Sequence, residues 1–315
     1  MKLEVGSQVF SGFISAHVRS SMDSLFDQFK FVSTSRIVSD KLIKLGNDCR
    51  VIAPDDSTLL DGYIYGLTVP IGGDVIITGS DKAQDLMSSN VSGTGEFKNL
   101  TAKQIIQSIC LPFGITVSGT ADASVDVFRY NINERASDVI LELLGRYGLL
   151  ANSDGSGNLV LTTATTTDRA TLQLVEGNNI IDGAVMLSEN RNSEFTLHGQ
   201  NRTGSVSSSV DGLSARHRPS TAIFTGNVTS GQVTTGAAWG AKMAQPEMYS
   251  VRVSGIYNVR PNTLIPIESN TLGVSGDLLI RAVTWSLERG GHTTTFELVN
   301  PAVYGGENTD CGWLA

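Results

Sequence analysis

The chain has 315 residues, enough for two or three domains with real cores. Charged residues make up only 17% against 40% hydrophobic, and there are 33 glycines, a mixture that favours strands and turns over long charged helices. A formal charge of −8 argues against sequence-specific DNA binding, which needs Lys and Arg clustered on phosphates.

The three cysteines, Cys49, Cys110 and Cys311, are odd in number and widely spaced, so they form no disulfide framework and no metal motif. Cys110 falls on an apolar helical face and reads as core. No basic segment followed by an apolar region opens the chain, so no signal peptide is expected. No apolar run approaches about 18 residues, so no membrane insertion is expected.

In chain order, the first elements are strands. Phe13, Ser15 and His17 alternate with Ile14, Ala16 and Val18, and Phe29 to Val32 is a further β signal. Val51-Ile52 ends at the turn Pro54-Asp55-Asp56. Leu59 to Leu67 is strand-like, and Gly72-Gly73 permits a tight reversal into Asp74 to Thr78. Gly79-Ser80-Asp81 ends that strand, and Lys82 to Leu86 reads as one helical turn.

Two helices follow. Thr101 to Cys110 opens with Thr101 and Gln104 at capping-box spacing, and Ala102, Ile105, Ile106 and Ile109 make one apolar stripe. Pro112 stops it, and a strand is expected from Phe113 to Val117. Asn133 to Tyr147 takes Asn133 as its cap. Ala136, Val139, Ile140, Leu143, Leu144 and Tyr147 recur at helical spacing, and Gly148 is the terminating glycine. Leu149 to Asn152 and Leu159 to Thr162 make a hairpin over Ser153–Gly157. Residues 96–163 therefore read as a small α/β module.

Strands are expected at Thr171–Val175 and Phe195–His198. Residues 201–236 are rich in Ser, Thr, Gly and Asn without clear periodicity, and read as a long loop or arm. A short helix follows from Thr235 to Gln245, with Trp239 and Met243 on one face. The last quarter is β: Tyr249, Val251 and Val253 alternate with polar partners, and Asp277 to Glu288 is a long strand. Leu279, Arg281, Val283, Trp285 and Leu287 are expected on one face, and Leu278, Ile280 and Ala282 on the other. Both faces are apolar, so the strand belongs at the centre of a sheet or barrel. Arg281 must find a carboxylate, or emerge into solvent or a lumen. Gly290-Gly291 turns the chain into a final strand, Thr293 to Val299.

Taken together, these segments resemble the Mu-type phage baseplate hub proteins, which are related to hub domains of contractile tails and type VI secretion spikes. Gly79-Ser80-Asp81-Lys82-Ala83-Gln84-Asp85-Leu86 is similar to a "GRSKTaDL" corner, with Ser80 in place of the Arg. Asn99-Leu100-Thr101 through Pro112-Phe113-Gly114-Ile115 resembles "n.tl..I…pFGi". Glu134 to Leu161 resembles "geta.e.leR.a…Gll…dG.Lvlt". Asp211 with Arg216, Arg218 and Pro219 resembles "D…RyRP", and Asn262-Thr263-Leu264 with Gly276–Ile280 resembles "pN.lv.v…i.gdLLI". The order and spacing hold over roughly residues 20–300, outside which lies the tail from Gly305.

The resemblance implies a mainly β protein with an α/β insertion. Two related split β-barrels of the tail-tube kind are expected, discontinuous in sequence. Residues 1–88 would form the first barrel, completed by strands returning near 170–200. Residues 89–168 would form the α/β module, 169–200 connecting strands, 201–236 the loop, 237–304 the second barrel and 305–315 a tail. It implies a non-enzymatic virion protein, assembled in the host cytoplasm. As a homotrimer it would adapt a three-fold spike protein to the six-fold tail tube protein, touch other baseplate proteins, and pass DNA without specific binding. A tail-associated β-rich hydrolase is the alternative, and a carbohydrate-binding module a third reading disfavoured by 7% aromatic content.

The sequence has no Gly-x-Ser-x-Gly elbow, His-Glu-x-x-His or Walker A pattern. Asp154–Asn158 looks like the start of a calcium loop but has Leu159 where glycine is needed and Thr165 where glutamate is needed, so a plain hairpin turn is expected. His17, His198, His217 and His292 lie far apart. No catalytic, metal or cofactor residues are assigned. Arg216, His217 and Arg218 suit a partner or subunit contact through phosphate or carboxylate, or form a solvated basic spot. Trp285, Val283, Leu287, Ile105, Ile109 and Leu143 are the expected core.

Overall fold

A computed structural model describes residues 1–34, 43–164, 167–187, 192–201, 204–211, 216–227, 229–243 and 247–304. Cys311 and the tail from Gly305 lie outside the described residues.

Seven strands open the chain: β1 (Lys2–Val5), β2 (Gln8–Phe10), β3 (Ser15–Ser21), β4 (Gln28–Ser33), β5 (Asp48–Ile52), β6 (Thr58–Thr68) and β7 (Val75–Asp81). A single 3-10 turn, Lys82–Gln84, and α1 (Asp85–Ser88) lead into the α/β module. The module holds β8 (Glu96–Thr101), α2 (Ala102–Cys110), β9 (Val117–Gly119), β10 (Ser124–Arg129), α3 (Ala136–Tyr147), β11 (Leu150–Ser153) and β12 (Leu159–Thr162). After it come β13 (Leu174–Val175), β14 (Ile180–Leu187), β15 (Glu194–Asn201), β16 (Gly204–Asp211), β17 (Pro219–Asn227) and α4 (Ser230–Met243). The chain closes with β18 (Glu247–Ser254), β19 (Leu264–Ser269), β20 (Val274–Glu288) and β21 (Gly291–Val299), then a 3-10 turn at Pro301–Tyr304.

Among the described residues, thirteen strands form one sheet that joins the two ends of the chain. Its order is β14-β18-β21-β20-β3-β4-β7-β6-β5-β1-β2, with β19 also paired to β20, and β13 to β19. The join is the antiparallel ladder of β3 on β20, where Val18 lies opposite Trp285. One apolar core serves both ends: Phe31, Leu60, Ile64 and Ile77 from the N-terminal strands pack with Tyr249, Val283, Trp285 and Phe296. Such burial of large side chains is the main stabilising term for a sheet. The expected return of the 170–200 region to the N-terminal strands is not seen. β13 pairs with β19 and β14 with β18, so these strands extend the C-terminal side.

The long strand β20 corrects the expected faces. A bulge between Ile280 and Ala282 shifts the register, and a bulge changes which side chains share a face. Leu278 and Ile280 therefore join Val283 and Trp285 in the main core, whereas Leu279 packs with Val299 and Tyr304 elsewhere. Arg281, at the bulge, reaches a carboxylate: its Nε donates to Asp23 at 2.6 Å, and Tyr304 donates to the other oxygen of Asp23 at 2.6 Å.

The module has its own core. Its strands form two small sheets, β8 with β10 and β9-β12-β11. α2 and α3 supply Ile105, Ile106, Ile109, Val139, Ile140, Leu143 and Leu144 to a cluster with Val125, Phe128 and Leu161. The Thr101 capping box forms in both directions. α3 starts at Ala136 rather than Asn133, because the Glu134 carboxylate accepts from the Asn131 N–H and closes a turn there. Gly148 ends it in the left-handed region at φ 62. Where a strand was expected at 113–117, Leu111–Phe113 is a 3-10 turn and β9 starts at Val117.

The region read as a loop is a third piece. β15 pairs antiparallel with β16 and parallel with β17, and α4 lies across β15 and β16. Thr and Ser supply much of these strands, so apolar alternation is faint, but the ladder satisfies the backbone all the same. α4 begins at Ser230, five residues before the expected start. The side chains of Trp239 and Met243 lie outside the described ones, as does the expected helix end at Gln245.

Candidate functional site

The expected site residues fall in three separate places. Trp285 and Val283 are fully buried in the sheet core, with Leu287 partly buried beside them, whereas Ile105, Ile109 and Leu143 are buried in the module. Trp285 directs its indole N–H to the Tyr257 carbonyl at 2.7 Å. Arg216, His217 and Arg218 are exposed in the turn before β17. That turn is pinned to the start of β15, since the Arg218 N–H donates to Ser193 Oγ at 2.8 Å and the Ser193 N–H to the Arg218 carbonyl at 3.0 Å. His17 is hydrogen-bonded with Ser286 at 3.0 Å. Cys110 is buried in the module core, and burial pushes its thiol up to about 12.

A buried polar cluster lies where the N-terminal strands, the C-terminal half and the module meet. Asp27, just before β4, and Asp81, at the end of β7, are held back to back. The Asp27 N–H donates to Asp81 Oδ2 at 2.8 Å, and the Asp81 N–H to the Asp27 carbonyl at 3.1 Å. Asp81 Oδ1 caps the following turn by accepting from the Ala83 N–H at 3.0 Å. From the module, Ser153 Oγ donates to Asp81 Oδ2 at 2.5 Å. From the C-terminal half, Arg260 donates to Asp27 Oδ2 at 2.7 Å and to the Leu59 carbonyl at 2.6 Å. Its guanidinium also sits over the Trp285 ring, 5.3 Å from the centroid. Ser20 adds a further hydrogen bond to Asp27.

The module's β11–β12 hairpin is seated in this corner by its glycines. Gly155, at φ 88, gives its carbonyl to the Asp61 N–H at 2.7 Å, and a Cβ there would lie 3.0 Å from Arg260 Cζ. A Cβ on Gly157, at φ 76, would lie 2.7 Å from the Lys82 backbone nitrogen. Only glycine accommodates both the backbone conformation and the close approach. The Asp154 carboxylate is taken up by its own turn, accepting from the Ser156 and Asn158 backbones and the Asn158 side chain, as expected of a hairpin rather than an ion loop. An apolar seam of Met22, Leu150, Leu264, Leu279 and Tyr304 lies alongside.

Burial raises both acids. Asp27 goes up to about 6, with Arg260 opposing the rise, and Asp81 to about 7, with the neighbouring Asp27 charge adding to it. Sequence reading missed this cluster. Its members are 54 residues apart for the two acids, and Arg260 and Ser153 come from other parts of the chain. The available signal was Asp81 inside the Gly79–Leu86 corner, an acid directly after an apolar strand.

Two outer surfaces carry exposed apolar side chains. Val69 and Ile71 stand at the tip of the β6–β7 hairpin, Ile71 fully exposed. Ile181, Met186 and Leu187 are exposed on β14, the end strand of the large sheet.

Residues 83–163 match the family model of baseplate hub protein gp44-like, second domain. Those residues are the α/β module with its leading corner. Over 241 residues the chain is 27% identical to baseplate hub protein gp44 of Escherichia phage Mu, a match that takes in 70% of this chain and 60% of that relative's length. In solved structures, the 43 kDa tail protein of prophage MuSo2 from Shewanella oneidensis superposes with a TM-score of 0.81 at 23% identity, covering 96% of this chain and 98% of the other. A tail protein from Neisseria meningitidis MC58 superposes at 0.84 with 16% identity, covering 96% and 97%. The chain thus carries a gp44-like module within a tail-protein fold, and the resemblance to Mu-type hub proteins holds beyond the motifs that first suggested it.

Proposed function

We propose that this chain is the structural baseplate hub of a contractile phage tail or a related injection particle. The observation that carries the reading is the gp44-like module in a fold shared, end to end, with Mu-type tail proteins. In this role three copies form a ring that adapts a three-fold spike to the six-fold tube. The N-terminal and C-terminal strand groups serve as the two barrel-like halves that imitate six-fold symmetry. A ring needs the same contact repeated around an axis. The exposed apolar residues of β14 and its outer edge, which no described strand pairs, suit such a contact.

Three copies carry 3 × −8 = −24 formal charges. An acidic or neutral bore lets DNA pass without the counterion release that strengthens binding to Lys and Arg. Light scattering and cross-linking of the purified chain at high concentration test the reading. It expects trimers and, at about 0.15 M salt, no duplex binding. Monomers at every concentration with no cross-linked ring, or tight duplex binding, contradict it.

A further inference from the structure

The large sheet repeats itself. Along it, β14-β18-β21-β20 is followed by β3-β4-β7-β6, each strand antiparallel to the next. β20 and β6 hold the same place in the two sets. Each pairs through its first half with the strand before it in the chain, residues 274–279 with β19 and residues 58–63 with β5. Each then forms a hairpin with the strand after it, and the register shifts at the matching residue, Arg281 in β20 and Tyr65 in β6. Asp61, Ile64 and Thr68 recur at the same spacing as Asp277, Ile280 and Thr284.

The repeat lacks one contact. On its edge away from β21, the second half of β20 takes β3, from Ala282 opposite Ser21 to Leu287 opposite Ala16. The matching edge of β6 is bonded at Ile64 by Gly46 and Asn47, and from Tyr65 onward it pairs with no described residue. The strand in β3's place in the other set is β14, at the opposite end of the run, and its outer edge is also unpaired among the described residues. Both bare edges carry exposed apolar side chains, Val69 and Ile71 after β6 and Ile181, Met186 and Leu187 on β14. β14 has none of the lysine or proline that keeps an edge from pairing.

We propose that β14 of one copy pairs antiparallel with the second half of β6 of the next copy, repeating between chains the joint that β3 makes with β20 inside each chain. The register follows from the repeat. Val18 faces Phe29, then Gly79 and Ile64, as Val185 faces Tyr249, then Leu298 and Ile280. Val18 lies opposite Trp285, both fully buried. Val185 therefore belongs opposite Val69, Met186 opposite Thr68 and Leu187 opposite Leu67, with Gly183 leaving room for Ile71. Pro70, with no N–H to give, closes the paired stretch. Two different surfaces meet head to tail, so the contact repeats around an axis. Its closure after three copies rests on the hub reading.

The test is disulfide trapping in the full chain with Cys311→Ser as background, Cys49 and Cys110 being buried. Thr68→Cys combined with Met186→Cys, mildly oxidised, is expected to give dimers and trimers on a non-reducing gel. Thr68→Cys combined with Ala184→Cys, two residues out of register and too far apart to bridge, should give little. Leu187→Arg and, separately, Val69→Lys should turn trimers into monomers in light scattering while leaving the melting temperature in place. Equal trapping of the two cysteine pairs, or trimers unmoved by both charge variants, overturns this contact and leaves the hub reading standing. Wild-type monomers at every concentration overturn both. If one charge variant fails to fold, the other decides.

Discussion

Two helices of this chain begin alike and end in different company. α2 starts with Thr101 and Gln104 exchanging side-chain and backbone hydrogen bonds, and α4 starts the same way with Thr229 and Gln232. Behind its cap, α2 buries Ala102, Ile105, Ile106, Ile109 and Cys110 in the module core. α4 sits on a sheet of Ser and Thr, where Leu197, Val233 and Ala237 form the buried cluster among the described residues. A cap specifies where a helix begins; the apolar stripe behind it sets how firmly the helix is held. The module should therefore unfold with the body, and the β15–β17 unit ahead of it.

The largest effect is expected in the module. Leu143→Ala removes a fully buried side chain and should cost about 2–5 kcal/mol, read as a fall in the global melting transition. Leu197→Ala, equally buried by area, should leave that transition nearly in place and instead raise hydrogen exchange within β15–β17. Equal losses of global stability from the two changes would break the comparison. Next in size is Gly240→Ala, whose new methyl would stand 2.6 Å from the Phe195 ring. It should push α4 off its sheet at a cost of about 1–3 kcal/mol, again in local exchange rather than global melting. Smallest are the paired caps. Thr101→Ala and Thr229→Ala each remove one reciprocal cap worth about 1 kcal/mol. The first should appear in the melting temperature, and the second in α4 exchange alone.

That same contrast explains what was legible in the sequence. The module could be read because Ile105, Ile109, Leu143 and Leu144 repeat at helical spacing, and Pro112 and Gly148 mark where its helices stop. The β15–β17 unit could not, because serines on both faces of Gly204–Asp211 give no period-2 contrast, and the pairing comes from backbone ladders that composition does not record. Its helix start was legible in principle, since Thr229-x-x-Gln232 repeats the Thr101-x-x-Gln104 pattern; polar surroundings hid it. In β20 the strand was readable and its faces were not, since one bulge at Arg281 reverses the alternation. The buried acid cluster was the least legible feature. It is assembled from Asp27, Asp81, Ser153 and Arg260, each unremarkable in its own segment, and only the fold brings them within hydrogen-bonding distance.

The central claim, that this chain is a hub joining spike to tube, is tested most directly by electron cryo-microscopy of the particle that carries it. The account predicts three copies in a ring at the spike–tube junction, with the two strand groups of each copy alternating around a bore lined by more Asp and Glu than Lys and Arg. Density for this chain elsewhere in the particle, a copy number other than three, or a bore ringed by Lys and Arg would contradict it.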